Sequence, residues 1–597
     1  MSAQPMFFGP SALPLFGWLH QGTSPARDVG VVLCSPWGRE EVSAHHSLRQ
    51  WALLLSQHGW PCVRFDYPGE GDSAGDALLD GSVEAWVGGV FHAIAQLKQQ
   101  TGVSKVCLLG VRAGVAMASL AAQGRDDVVG LIAVAPVVKG RGFVRELTAL
   151  QAAASKRTEP QPLEGVFQSG GYQMSQRTRD ALSAVDLAQL PQAPAPDVLV
   201  LDRDDMPGSS AWIKALQAQG VRVQQQALPG YVAMMADPHH AVAPQAMLEA
   251  SVQWLAELVP DRRPDFGHQV APHTTPLSIS AEGLINVPDQ ACGVVSEQAL
   301  FVSGGPAFGL LTQPDQGQGR TGHAILILNA GSTRRIGPSR LSVTMARRWA
   351  AAGHVVMRLD LAGIGDGELR EGRVLNMSYP HEAMDDVRVA LAYLLAQAGV
   401  KKVHACGLCA GAYHALKAAR DGMPLSSITM INPLIFFNAE GLSLEEGEDF
   451  SVQKVHSAAA SYKESAASLE KWLKLFKGQI KFDALFKVLF SRVSMLVSAR
   501  LKNLARRIHW PLKDDLGTDL RRLTGKGIRV NFIFANGDPG ETMLREQAGS
   551  VLTGLQGAGV LGLHIFQEAD HVFTDTVVRH DMLLRLAQIM SDMTAVI

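Results

Sequence analysis

Short, almost wholly apolar runs recur along the chain, each followed by a longer stretch of helix-forming residues. Examples are GVVLC (30–34), Val403-His404-Ala405-Cys406, VNFIFA (530–535) and LHIFQEA (563–569). The stretch Ala412-Tyr413-His414-Ala415-Leu416-Lys417-Ala418-Ala419 is typical of the helical partners. Strands without polar alternation are covered on both faces. The pattern therefore predicts an α/β protein with a mostly parallel sheet between two helical layers.

The pattern occurs twice. VRFDYPGEGDS (63–73) matches MRLDLAGIGDG (357–367), and Gly110-Val111-Arg112-Ala113-Gly114 matches Gly407-Leu408-Cys409-Ala410-Gly411. In the same order, GVVLCSPWG (30–38) matches AILILNAGS (324–332), and FFGPSALPLFGWL (7–19) matches LFVSGGPAFGLL (300–311). Repeats this long are whole domains, not solenoid units. At 597 residues the chain also exceeds what one core normally spans. Two domains are expected, 1–262 and 275–597, joined near Pro260–Pro276 where proline, charge and polar residues collect.

The elbow-like pentapeptides carry the candidate chemistry. In Gly407-Leu408-Cys409-Ala410-Gly411 a strand-like run meets a helix-like one, and small residues stand two before and two after the cysteine. A nucleophile on such a turn needs that spacing, because side chains there would strike neighbouring backbone. The helix N-terminus behind Cys409 would favour its thiolate. Asp538 follows VNFIFA, and His571 follows LHIFQEA. A thiol, an imidazole to take its proton and a carboxylate to orient the imidazole form a coherent set. Asp570 is the weaker acid, since adjacency to His571 points the two side chains apart on extended backbone.

With these motifs, both halves resemble the α/β-hydrolase superfamily, whose triad runs nucleophile, acid, histidine along the chain. The chain is most similar to the serine-aminopeptidase-like and thioesterase-like branch of bacterial biosynthetic clusters, including hydrolases that accompany exosortase systems. The resemblance implies two tandem α/β-hydrolase domains, with Cys409, Asp538 and His571 as the triad of the second. It also implies oxyanion N–H groups on Ala410 and in the loop Asn329-Ala330-Gly331-Ser332, from Ala330 or Gly331. A G-x-C-x-G box is similar to that of dienelactone hydrolases and polyhydroxyalkanoate synthases.

The first half departs from this pattern. Arg112 stands at the elbow and cannot be a nucleophile. Asp202, Asp204, Asp205, His239 and His240 leave the acid and base positions unassigned. Either this half is degenerate and kept for packing, or Arg112 forms an anion site. Arg334 and Arg335 are further candidate substrate-binding residues. Between about 433 and 516 the second half carries an insertion expected to be a helical cap. From Lys463 to Arg507 it holds eleven Lys/Arg against three acids, interleaved with apolar residues such as Trp472. Its basic face could be solvated, could lie on a membrane surface, or could receive an acidic carrier protein or CoA phosphate while the apolar face covers an acyl chain.

Composition adds bounds. The formal charge is −2, which gives no reason to expect nucleic acid as a partner. No run reaches the roughly 20 apolar residues of a transmembrane helix, and the N-terminus lacks a basic n-region, so a cytoplasmic location is expected. The six cysteines are dispersed, as expected of free thiols. Cys406-x-x-Cys409 raises zinc or redox chemistry, but no second ligand pair follows. No metal or other cofactor is expected. The glycines of GEGD and GIGD do not form a dinucleotide fingerprint. The leading expectation is acyl transfer or (thio)ester hydrolysis through a cysteine acyl-enzyme, on a CoA- or carrier-linked acyl group. A non-catalytic scaffold and a lactone hydrolase are the alternatives, and the oligomeric state is not legible.

Overall fold

In the computed structural model, the described residues are 3–23, 27–79, 81–154, 164–259, 295–314, 319–443 and 514–595. They build two eight-stranded sheets of the same design.

The first sheet contains β1 (Ala3–Phe8), β2 (Leu15–His20), β3 (Val29–Cys34), β4 (Cys62–Phe65), β5 (Lys105–Val111) and β6 (Val128–Val134). A hairpin of β7 (Val166–Ser169) and β8 (Tyr172–Ser175) stands apart from it, and β9 (Asp197–Arg203) and β10 (Arg222–Leu228) complete it. Its order is β1-β2-β4-β3-β5-β6-β9-β10, parallel except that β2 pairs antiparallel with both β1 and β4. The second sheet repeats this with β11 (Val295–Phe301), β12 (Phe308–Pro314), β13 (His323–Leu328), β14 (Val355–Asp360), β15 (Lys402–Leu408), β16 (Ser427–Ile431), β17 (Arg529–Ala535) and β18 (Leu561–Phe566). Central strands such as VGVVLC and HAILIL are buried at every residue, as strands covered on both faces must be. The expected α/β fold class with mostly parallel sheets is what the structure contains. Of the expected cap, residues 444–513 lie outside the described residues, Trp472 among them.

The two sheets meet through their antiparallel ends. Phe7, Phe16 and Trp18 pack on Phe308 and Leu310, with Trp18 and Phe308 centroids 4.8 Å apart. Beside this apolar contact lies a buried ionic one, built from the repeated R-x-D-x-x-G-x-G-D motif. Within each copy the first aspartate folds over the loop and accepts from the second aspartate's amide, Asp72 to Asp66 at 2.8 Å and Asp366 to Asp360 at 3.1 Å. A side chain at Gly71 or Gly365 would collide with that carboxylate, and both glycines have positive φ. Between copies the partners exchange. Arg64 of the first half donates to Asp366 at 2.6 Å, and Arg358 of the second donates to Asp72. The turn reading of these loops holds, and they are also the seam of the molecule.

Arg334 and Arg335 sit in this seam, not beside a substrate cleft. Arg335 is paired with Asp72 (2.6 Å), Asp360 (2.7 Å) and Asp366 (2.8 Å), its guanidinium 4.6 Å from the Phe308 ring and 5.1 Å from Phe16. Arg334 is paired with Glu41 (2.7 Å) and Asp66 (3.0 Å). All these groups are buried. Burial would raise the Asp366 carboxyl, but Arg64, His45 and Arg335 hold it well below the usual carboxylate range. Because each cation faces buried carboxylates, removing one leaves buried charge unpaired and is costly. Arg335→Met should destabilise the chain by about 3–5 kcal/mol in urea unfolding; an unchanged midpoint would contradict the seam as described.

Candidate active site

Cys409 ends the strand–turn between β15 and the helix Ala410–Arg420, with φ 55° and ψ −115°. The glycine spacing read from the sequence has a physical cause here. A Cβ on Gly407 would lie 2.2 Å from the Gly411 carbonyl carbon. One on Gly411 would lie 2.7 Å from Asn329 O and 2.9 Å from Leu328 O. The Cys409 amide donates to Ile431 O at 2.9 Å, which ties the turn to β16. Ala410 opens the helix, so its N–H has no intrahelical acceptor. Close approach of Gly411 to Asn329 brings the loop after β13 against the turn, and Ala330 packs into the apolar cluster that includes Cys409.

Asp538 follows β17 and caps the helix Pro539–Ala548. One carboxylate oxygen accepts from Gly540 N at 2.9 Å and the other pairs with His571 Nδ1 at 2.8 Å. A carboxylate fixed in this way sets the ring orientation and puts the Nδ1 proton between the two groups. Asp570 instead accepts from Thr574 N at 2.6 Å and closes the turn that carries His571. His571 Nε2 is shielded without a conventional hydrogen-bond partner, while 32% of the side chain as a whole remains exposed. Burial opposes the imidazolium, but the bond to Asp538 and the weak hydrogen bond and charge of the Cys409 sulfur outweigh it, raising His571 to about 10. The three residues named from the sequence thus act on one another. The buried cluster that includes Cys409 also holds Tyr379, Tyr413, Leu434, Ile435 and Phe573.

Asn432 was not legible as part of this arrangement. It is fully buried at the end of β16 with φ 43°. Its side chain accepts from Ala535 N at 2.9 Å and donates to His571 O at 2.7 Å, joining the strand before Asp538 to the turn of His571. The corresponding residue of the first half is Ala135, also at positive φ (45°). An Asn before a proline carries no sequence signal beyond a turn; only the positive φ and the two bonds reveal it.

The first half has the same elbow with different chemistry. Arg112 has φ 54°, and a Cβ on Gly114 would lie 2.2 Å from Cys34 O. Its guanidinium is held by Glu40 and Glu146, each at 2.7 Å, and is itself buried. With two carboxylates in place the open anion site considered from the sequence is not there. Soon after the last strand of the first half stands Tyr231, whose ring lies 5.9 Å from the Arg112 guanidinium. His239 and His240 lie further on, in an irregular segment. Asp202 accepts from Ser209 (2.7 Å) and Gln225 (3.0 Å), and Asp205 pairs with Arg203.

Comparison with known proteins agrees with the architecture. The family described as serine aminopeptidase, S33 (Hydrolase_4), matches residues 28–188. The fold is that of the α/β hydrolases. The matched stretch belongs to the half with Arg112, so it does not reach Cys409, Asp538 or His571. Among solved structures, the chain is similar to Est1E from Butyrivibrio proteoclasticus with bound ferulic acid, at 15% identity over 43% of this chain and 100% of that one, TM-score 0.35. It is also similar to the α/β hydrolase GrgF from Penicillium sp. sh18 (15% identity, 44% and 100% covered, TM-score 0.33). A third is XC6422 from Xanthomonas campestris, an a/b serine hydrolase without lid (16% identity, 44% and 94% covered, TM-score 0.28). No curated protein matches the chain. No described helix is long and apolar enough to cross a membrane. Cys406 of the C-x-x-C is buried, and burial pushes its thiol up to about 12.

Two outcomes follow from this geometry. Because His571 is raised in the folded protein, its stabilising effect is complete below its unfolded value of about 6.5 and is lost as pH rises toward 10. NMR titration should show this ring protonated well above pH 7, and Asp538→Asn should bring the midpoint down; an ordinary midpoint in both would contradict the pairing. Asn432→Ala should cost about 1–3 kcal/mol for each buried backbone group left unpaired, read by urea unfolding against wild type.

Proposed function

We propose that the second half, residues 275–597, is a cysteine-dependent enzyme that transfers or hydrolyses acyl groups, and that the first half, residues 1–262, is a degenerate hydrolase domain. The observation that carries this reading is His571, paired through Nδ1 with Asp538 at 2.8 Å, with the elbow residue Cys409 among the groups that act on its ring. Serine is the usual nucleophile of the serine aminopeptidase family, and the half that this family matches has neither serine nor cysteine at its elbow.

In the proposed reaction the proton shared by Cys409 and His571 already rests on His571 Nε2, and the sulfur attacks the acyl carbonyl carbon. The carbonyl oxygen becomes an oxyanion, met by the N–H of Ala410 and one from Ala330 or Gly331, a stabilisation worth about 3–4 kcal/mol for one such donor. The tetrahedral intermediate collapses, the C–S or C–O bond to the leaving group breaks, and the imidazolium returns a proton to it. The product is a thioester on Cys409. An acceptor, water or another nucleophile, then gives its proton to His571 and takes the acyl group. Thioesters, activated esters and lactones suit a sulfur nucleophile better than amides. The apolar cluster around Cys409, with Leu434, Ile435 and Phe573, suits an acyl chain, and the eleven Lys/Arg of the insertion suit a CoA- or carrier-linked donor.

The test is turnover of a short-chain acyl thioester with intact-protein mass spectrometry. Wild type should form an acyl adduct on Cys409, and Cys409→Ala should lose both adduct and turnover by about 10³-fold or more. Equal rates would make the molecule a non-catalytic scaffold.

A further inference from the structure

We infer that the first half is a positioning unit for the active site of the second, holding both the loop of the oxyanion donors and the turn of the histidine. This rests on the proposed function and gives work to a half without a nucleophile.

The first hold is ionic. The loop that starts at Asn329 and carries Ala330 and Gly331 runs directly into Arg334 and Arg335. Inside the loop, Thr333 N donates to Ala330 O at 3.1 Å, and Asn329 Nδ2 donates to Thr333 O at 3.0 Å. Arg335 N donates to Asp360 at 2.6 Å. The far end of the loop is then fixed across the seam, Arg334 to Glu41 and Asp66, and Arg335 to Asp72. A donor loop of this kind must be placed to within about 0.5 Å, and loops are otherwise the mobile parts of a fold. Five buried carboxylates of the two halves, Glu41, Asp66, Asp72, Asp360 and Asp366, are tied to a segment that begins three residues beyond Gly331.

The second hold is the hairpin β7–β8, an addition to the first half with no equivalent among the described residues of the second. Its tip touches the segment after His571. Arg579 donates to Gly171 O at 2.7 Å, and Gln168 donates to Thr576 Oγ1 at 2.8 Å. A Cβ on Gly171 would lie 2.4 Å from Ser339 Oγ and 3.3 Å from Thr574 O. One glycine of the first half therefore abuts both the chain leading away from the oxyanion loop and the end of the histidine turn, which Asp570 closes through Thr574.

The hairpin supplies its own control. Gly170 and Gly171 both have positive φ, but nothing lies within 4 Å of a Cβ on Gly170. Asparagine is the side chain that best tolerates positive φ. Gly170 (φ 54°) lies in the left-handed region and Gly171 (φ 90°) beyond it. Gly171→Asn therefore adds strain as well as the wedge, and its kcat is judged beyond any shift in unfolding midpoint. In the full chain, assayed with the acyl thioester, Gly171→Asn should lower kcat about tenfold with KM within about twofold, and slow acylation of Cys409 in single turnover. Gly170→Asn should match wild type in kcat and in unfolding midpoint. Equal kcat in the two variants, or a loss in Gly171→Asn that tracks only its stability, would overturn the inference. Absence of turnover in wild type would instead defeat the proposed function.

Discussion

A cysteine held at φ 55° between two glycines that cannot carry a side chain is the constraint on which the second half depends. The turn brings the sulfur to a helix N-terminus, brings the β13 loop against it and ties its amide to β16. Positive φ on a non-glycine residue is a cost that surrounding structure must offset. Here the offset is a buried strand on one side, a helix on the other and close backbone contact at both glycines. Asp538 and His571 arrive from far along the chain, each on a loop with its own fixing bonds.

The first half keeps the constraint and changes the chemistry. Arg112 has nearly the same backbone as Cys409, and Gly110 and Gly114 show the same close approaches. Glu40, Glu146 and Tyr231 then surround the guanidinium where a nucleophile would need an imidazole. Turn geometry and chemistry thus separate, as expected when function resides in a site borne by a fold. The two copies also share a seam in which each arginine of the repeated motif reaches the other copy's aspartate.

Much of this was readable from residues. Unbroken apolar runs announced strands covered on both faces, the repeat announced two sheets, and the order Cys409, Asp538, His571 anticipated the groups that the fold brings together. The limits have physical causes. Arg334 and Arg335 read as free cations because their partners, Glu41, Asp66 and Asp72, are more than 250 residues away. Arg112 reads either as packing or as an anion site, because Glu40 and Glu146 lie 72 and 34 residues away and no local pattern ties them to it. Asn432 was silent, since its role lies in two backbone partners that no local pattern encodes. Tyr231 was missed beside His239 and His240 because an imidazole was expected there, and a tyrosine near Arg112 carries no sequence signal.

The most direct measurement is the rate of alkylation of each cysteine by iodoacetamide near neutral pH, resolved by peptide mass spectrometry in wild type and His571→Ala. Cys409 should react far faster than Cys34, Cys62, Cys107, Cys292 and Cys406, and should lose that advantage without the imidazole. Uniform, slow labelling of all six, or a Cys409 rate indifferent to His571, would contradict the account.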